Sequence, residues 1–476
     1  MKKALLLSAI MVSTPFQSAT ANEETAALRA QIKALEARLD ALEKKETQKS
    51  VKASPAVSPS PFATTTTPPA VATSSTAYAA APAANNASVA YESGKGLTIT
   101  SPDRQSQLKV SGYFQFDGRE FTGHDTPSNN PSQFFIRSAR PIFEAKIFDK
   151  FSARLMLDFG NGQSTLMDAY GDYNASEAFN ARIGKFKVPL GLERWQPEQN
   201  ILFVERGLTT NLVPYRDNGI GVYGKLFSNV LEYNLAFTDG APDQVNLSNG
   251  ADDGKSVVGR LLVRPFAQTD IKALKGLGIG TAASYGTHDA SLTSQDLTTG
   301  YVTPAQSKFF TYATSAYADG GQWRLNPQLT YYNGPFSLLG EYVLEQQKLA
   351  SGNVRADLRN DAWQAIVTYV VTGEDASFSG VVPKHNFDPA NGEWGAFELA
   401  GRVGKLQVDQ AAFPVFASSS TSANEAQETT FGGNWYLNPA VKFNLDFAVT
   451  SFSGGAANNG DRPTERAILG RTQVKF

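Results

Sequence analysis

From Leu97 onward, apolar and polar residues alternate with a period of two, the signature of strands with one wet and one apolar face. In QLKVSGYFQFDG, Leu108, Val110, Phe114 and Phe116 fall on one face, and Lys109, Ser111, Gln115 and Asp117 on the other. FSARLMLDF repeats the arrangement, with Phe151, Ala153, Leu155, Leu157 and Phe159 set against Ser152, Arg154 and Asp158. VLEYNLAF, QWRLNPQLTYY, AWQAIVTYVV and VKFNLDFAV behave alike. Short connections at 148–150, 227–229 and 332–335 alternate with long ones at 122–132, 238–255, 287–308 and 408–426. Periplasmic turns and external loops of a membrane barrel produce that rhythm, and about 16 or 17 strands fit it, with 308–317 assigned to a loop. Pro141, inside the second strand, predicts a bulge or an edge there. A soluble β-sandwich would need several domains for so many strands, and no linker follows residue 96.

The first 96 residues read differently. Residues 1–21 carry Lys2 and Lys3, the apolar run ALLLSAIMV and an Ala19-Thr20-Ala21 cleavage site, a signal peptide. In 22–49, Leu28, Ile32, Leu35, Leu39 and Leu42 repeat at 4-3-4-3 spacing among Glu, Lys and Arg, predicting a short coiled-coil helix. Residues 50–96 open on a Pro/Ala/Ser/Thr-rich run too poor in bulky apolar residues to order itself, an extended linker. The domain reading is signal peptide 1–21, periplasmic coiled coil 22–49, linker 50–96 and barrel 97–476.

Composition narrows the class. The chain of 476 residues has 40 Gly, 30 Phe, 17 Tyr and no Cys, and its mean hydropathy is −0.27. Low hydropathy is compatible with a barrel, whose strands present polar residues to the lumen. No run of about 18 apolar residues occurs, so no conventional transmembrane helix is expected in the mature chain. Absent cysteine removes disulfides and thiol chemistry. Of 43 basic and 45 acidic residues, 1–90 holds nine and six, so the remainder is slightly acidic. Any preference for anions must therefore come from local placement, and nothing in this balance calls for nucleic acid.

The longest break in the alternation follows NARIGKFKV. Ile183, Lys185 and Lys187 are expected on one face there and Phe186 and Val188 on the other, before Pro189 and Gly191 end the strand. Nearly thirty residues pass before GIGVYGKLF resumes it, carrying Arg194, Arg206, Arg216, Glu193, Glu198 and Glu205. So long a loop inside a repetitive pattern is usually functional. Pattern alone leaves two readings open: an inward fold that narrows a lumen, or an external loop with solvated charges.

GKFKVPLGLER with the later VER, FSLLGEYVLEQQ, GAFELAGRVGKLQV and NWYLNPAVKFNLDFAVTSF together resemble the phosphate-selective porin O and P family over roughly 97–476. The resemblance implies an all-β membrane protein: a 16-stranded antiparallel transmembrane β-barrel, trimeric, with an inward-folded third loop as its constriction. It places Arg194 where the family's loop has its first phosphate-contacting lysine, Arg206 on its loop arginine, Asp168 on a lumen aspartate and Arg137 on the first of an adjacent arginine pair. Ser138 replaces the second arginine, Gln199 replaces the loop's second lysine, and Tyr113 stands at a first-strand arginine position. The fifth-loop arginines are missing, since 289–307 contains no Lys or Arg. Phe476 ends the chain as in the sorting signal read by the barrel-assembly machinery.

By strand parity, Arg154, Lys185, Lys187, Arg260, Arg324 and Arg402 point to the lumen, opposed by Asp117, Asp158, Asp168, Glu341 and Glu398. Most are expected to be solvated wall charges. The residues expected to line an anion path are Arg194, Arg206, Arg137, Asp168, Lys185 and Lys187. Charge at the narrowest point sets selectivity, because a nearby solute is incompletely screened. His124, His288 and His385 are expected in external loops, none beside a nucleophile or carboxylate motif, and no zinc, Walker or dinucleotide signature is present. The chain reads as a non-enzyme with no cofactor or metal. The expected function is passive outer-membrane diffusion of small hydrophilic solutes, anion-leaning, with phosphate or polyphosphate as candidate cargo and a homotrimer in lipid as the assembly. The alternative is a structural tether from outer membrane to peptidoglycan through 22–49, with a weakly selective pore.

Overall fold

The computed structural model describes Lys33 and residues 86–122, 131–250 and 252–476. The expected signal peptide, coiled coil and most of the linker lie outside the described residues, as does His124. Among the described residues, no helix is long and apolar enough to cross a membrane.

The chain from Gln107 runs as β3 (Gln107–Phe121), β4 (Gln133–Ile147), β5 (Phe151–Asp158), β6 (Thr165–Ser176), β7 (Phe179–Lys187), β8 (Arg216–Leu226), β9 (Leu231–Thr238), β10 (Ser256–Val263) and β11 (Gly278–Asp289). After the small hairpin β12 (Tyr301–Val302) and β13 (Lys308–Phe310), it continues through β14 (Tyr317–Asn333), β15 (Phe336–Ser351), β16 (Val354–Val370), β17 (Ala396–Gln407), β18 (Ala423–Tyr436), β19 (Val441–Gly454) and β20 (Glu465–Lys475). Each of these strands except the β12–β13 pair is antiparallel to its sequence neighbours, and β20 returns to pair with β3 from Ala467–Phe121 to Lys475–Tyr113. Eighteen strands share the sheet; two of them, β1 (Ser88–Glu92) and β2 (Gly96–Thr100), form a hairpin beside β3, and the other sixteen close into a barrel. Closure leaves the barrel without a free sheet edge, the condition for spanning lipid with strands.

The alternation is explained by two environments. Outward residues such as Val257, Leu261, Val367, Leu399, Leu445 and Phe447 are exposed, while their neighbours Arg260, Gln364, Thr368, Glu398, Asn444 and Asp446 are buried. Trp394 and Trp435 join Phe387, Phe397 and Phe443 in one aromatic cluster at a strand end.

Several expectations need correction. The stretch assigned to the linker ends in a strand, β1. All five of its residues are exposed, and the alternation of Val89 and Tyr91 is too short to stand out from the linker. Ile183 does not share a face with Lys185: it is 66% exposed and Lys185 is 4% exposed. Gly184 lies between them at φ +126°, a conformation that breaks strand parity. Arg216 is the first residue of β8 rather than part of the preceding loop. His288 lies within β11. His385 lies between β16 and β17, at the same end as the short connections. Strand order requires this, since β15 and β16 join at the other end through residues 352–353 alone, so β16 must finish where the turns are. The long connection 371–395 at the turn end was not anticipated; length had marked external loops, and this one breaks that rule.

Candidate functional site

Residues 188–215 leave β7 and return as β8 without a strand of their own. They contain a single helical turn, α1 (Leu192–Trp195), and 3-10 turns at Glu198–Asn200 and Leu208–Leu212. Leu190, Leu208 and Leu212 are fully buried and pack with Val188 and Val213 against Val258 of β10, Val343 of β15, and Leu358 and Ala362 of β16. Each such leucine contributes on the order of 1.5–3 kcal/mol. Polar contacts add to this. Gly191 N donates to Asn326 Oδ1 (3.1 Å), Leu192 N to Glu341 Oε2 (2.7 Å) and Val204 N to Asp446 Oδ2 (2.6 Å). Leu202 O and Ile201 O accept from Asn434 (3.0 Å) and Lys442 (3.1 Å). From the turn end, Phe378 O accepts from Gln196 Nε2 at 2.9 Å.

All three glutamates of the segment hold arginines of the strands. Glu193 Oε1 lies 3.2 Å from Arg402 Nη1 of β17. Glu198 Oε2 lies 2.9 Å from Arg140 Nη1 of β4 and accepts from Tyr215 OH at 2.7 Å. Glu205 meets Arg137 of β4 at 2.5 Å and Arg471 of β20 at 3.7 Å. Burial alone would raise the Glu198 carboxyl, but Arg140, Arg206 and Arg137 outweigh it and hold it well below the usual carboxylate range. Glu205 is likewise lowered, burial being offset by Arg137 and then Arg471.

The arginines of the segment behave differently. Arg206 donates to Glu193 O and Gln196 O, both at 3.1 Å, and lies 3.4 Å from Glu198. Arg194 donates to Thr210 O at 2.8 Å and lies 4.8 Å from the Tyr215 ring centre. No described carboxylate pairs with it, and its buried Nε has no hydrogen-bond partner among the described residues. Burial first, and Arg206 second, push this guanidinium below the usual arginine range. It is a desolvated cation short of negative neighbours.

Arg137, Arg140, Arg194 and Arg206 line one cavity of 220 Å³ with Glu198 and Glu205. If every group is ionised, four positive charges there face two negative ones. Of the residues read from sequence, Arg194, Arg206 and Arg137 meet here. Lys187 touches the same segment, donating to Gln196 O at 3.0 Å. Asp168 does not line the cavity; it binds Arg216 (2.7 Å) and Arg154 (3.1 Å). Lys185 is also elsewhere, donating to Ser248 Oγ at 3.0 Å.

Sequence reasoning missed Arg140 and Tyr215, and although it named Arg137 and Arg402 it did not pair them with the glutamates. The pairing of β3 with β4 steps from Gln115–Ser138 to Phe116–Ile136, leaving Arg137 as an extra residue. Such a bulge re-aims a side chain. Ser138 and Arg140 are buried in step with each other, and the extra residue lets Arg137, in step with Phe135, join Arg140 at the cavity. Tyr113, at the other vacated basic position, accepts from Arg140 Nη1 at 2.6 Å.

The sequence profile of the phosphate-selective porin O and P family matches residues 108–476. Porin O of Pseudomonas aeruginosa is 22% identical over 407 residues, covering 79% of this chain and 90% of its own. Among solved structures, the outer membrane channel DcaP of Acinetobacter baumannii superimposes with a TM-score of 0.51 at 9% identity, covering 78% of this chain and 97% of its own. Salmonella typhi OmpF, in complex with daunomycin, gives 0.50 at 12% identity, over 78% and 98%. At these identities the two structures speak for the fold alone.

Proposed function

From the premise that this chain belongs to the phosphate-selective porin O and P family, and is thus an outer-membrane porin, we propose that it passes small hydrophilic solutes with a preference for anions. The observation that carries the preference is Arg194. It is a buried guanidinium without a carboxylate, in a cavity where arginines outnumber glutamates. Residues 188–215 are read as the third loop, turned into the barrel as its constriction. Their packing on Val258, Val343 and Leu358 and their bonds to Asn326, Glu341 and Asp446 support that reading. Arg194 and Arg206 then lie along the anion path, with Arg137 beside them.

A phosphate-specific site is a narrower proposal. High affinity needs several donors converging on one anion. Here Glu198 and Glu205 already occupy guanidinium hydrogens of Arg140 and Arg137, and Ser138 and Gln199 stand where basic residues would add more. The cavity suits passing anions better than tight retention of one.

A homotrimer is proposed on the height of the wall. Strands β5, β9 and β10 have 8 residues and β7 has 9, whereas β14 and β16 have 17. A lipid-spanning strand needs about 9–11 residues, so the short side is best covered by neighbouring barrels. The N-terminal reading is proposed with it: residues 1–21 direct export, 22–49 form a periplasmic coiled coil, and the residues from 50 up to β1 link it to the barrel. The tether alternative gives that coiled coil peptidoglycan as its partner.

The test is the zero-current potential of the purified protein in a planar bilayer under a KCl gradient. Wild type is expected to favour chloride, and the double variant Arg194→Glu, Arg206→Glu to move towards potassium. An unchanged potential would overturn the constriction reading. Cosedimentation with peptidoglycan, with and without 22–49, decides the tether.

A further inference from the structure

Away from the constriction, three chain segments bring ligating atoms together. Asp252 comes from the connection between β10 and its predecessor β9, His288 from the end of β11, and Asp296 from the connection that follows β11. One oxygen or nitrogen from each lies within 4.8 Å of the others. His288 and Asp296 are buried and Asp252 is half-buried.

The hydrogen bonds around His288 point one way. Gln322 donates its amide to Glu345 (2.5 Å) and Gln347 (3.2 Å), which turns its carbonyl oxygen to His288 Nε2 at 2.9 Å. Nε2 therefore carries the hydrogen. In a neutral imidazole Nδ1 then offers a lone pair, and it faces a carboxylate oxygen of Asp296 at 2.5 Å. Two acceptors do not face each other without a cation between them. A proton can fill that role, and so can a metal. A ring whose remote N–H is tied to a carbonyl is the usual arrangement of a metal-binding histidine. Asp252 is also held in place, accepting from Gly254 N (2.8 Å) and Asp289 N (2.6 Å).

We propose that Asp252, His288 and Asp296 form a site for a divalent transition metal of the zinc class. One imidazole nitrogen with two carboxylates suits such an ion and matches its charge. In a tetrahedral site, metal–ligand bonds of about 2.0–2.2 Å set ligand atoms roughly 3.3–3.6 Å apart. Any pair wider than that must close, while Nδ1 and Asp296 move apart to admit the ion. Bound metal would replace the proton and fasten the connections on either side of β10–β11 to each other. This site is independent of the anion path, and its test does not involve conductance.

The experiment uses the full-length protein in detergent, stripped with a chelator and titrated with Zn²⁺ by calorimetry. Co²⁺ absorption reports coordination by the imidazole. One saturable Zn²⁺ per chain is expected, weakened about tenfold or more by His288→Ala and by Asp296→Asn, and by about 10–100-fold by Gln322→Leu. His385→Ala should leave it unchanged. Should His288→Ala not fold, Asp252→Asn, at a half-buried position, serves in its place and should also weaken binding. The proposal is overturned by absence of saturable binding, by isotherms identical in wild type and these variants, or by loss of binding only in His385→Ala.

Discussion

Both oxygens of Glu205 are held by one guanidinium: Arg137 donates from Nε at 2.5 Å and from Nη2 at 3.1 Å. The pair joins the 188–215 segment to β4, and it also commits one of the four cavity arginines to an internal partner. On the proposed constriction reading, the balance of paired and unpaired cations, rather than their number, governs what a passing ion meets.

Separating that pair should move selectivity in opposite directions. Glu205→Gln leaves Arg137 with only Glu198, 4.0 Å away, and is expected to raise the chloride-to-potassium permeability ratio. Arg137→Gln leaves a buried carboxylate and should lower it. At an effective dielectric of 20, unit charges 4 Å apart interact by about 4 kcal/mol. Screening by lumen water and salt leaves a passing ion roughly a tenth to a third of that, about 0.4–1.4 kcal/mol; at about 1.4 kcal/mol per tenfold, shifts of roughly two- to tenfold are expected. Reversal potentials of both variants, measured at one salt gradient, check the signs.

Arg194→Ala should reduce the chloride preference more than Lys185→Ala. Arg194 lines the cavity without a carboxylate partner, while Lys185 donates to Ser248 outside it. Equal shifts in the two variants would mean that lumen charge acts diffusely instead of at one constriction.

Acid should affect the segment late. Glu198 and Glu205 are both depressed, so their pairs contribute fully above the ordinary glutamate value of about 4.3. That contribution is lost only as pH falls through the lower folded values. The part of the selectivity that these two pairs set is therefore expected to hold from pH 7 to about 5 and to change only below about 4. Glu198→Gln should remove the acid transition that belongs to that residue, which a pH series on single channels would reveal.

The pairing that closes the barrel extends to the last residue. Phe476 N donates to Gly112 O at 2.9 Å and Gly112 N to Phe476 O at 2.8 Å. A Cβ on Gly112 would lie 2.6 Å from Arg140 O and 2.7 Å from the Phe476 ring. Gly112→Val and deletion of Phe476 should both lower the yield of heat-modifiable barrel in outer membranes. The clash involves backbone, so Gly112→Val should also lower the temperature at which the folded band disappears on gels.

Removing residues 22–85 should leave the barrel and its proposed trimer intact, because sixteen closed strands do not depend on that segment for their ladders. Light scattering of the truncated protein in mild detergent measures this. Dissociation to monomers would make the coiled coil the organising element of the assembly.

The sequence by itself determined the barrel. A period of two survives any error in register, because lipid and lumen impose opposite demands on successive side chains of every strand. That is why Arg260, Arg324, Arg402, Glu341 and Glu398 could be assigned to the buried face from parity alone. Glu193, Glu198, Glu205, Arg194 and Arg206 could be singled out too, since an interruption so long and so charged has no place in a plain turn. Three things waited for the tertiary structure. Parity fails where the backbone inserts a residue or takes a strained positive φ, so Gly184 separated Ile183 from Lys185 and the bulge put the adjacent Arg137 and Ser138 on the same side. The partners of the glutamates, Arg402, Arg140 and Arg137, come from distant strands, and nothing local encodes which strand stands opposite a loop. The end of the barrel at which 371–395 and His385 lie depends on counting every strand before them, including the two-residue turn at 352–353 that no length rule would assign to the long-loop end. Alternation is a local property of the chain and could be read from it; bulges, ion pairs and loop placement are set by closure, which every strand shares.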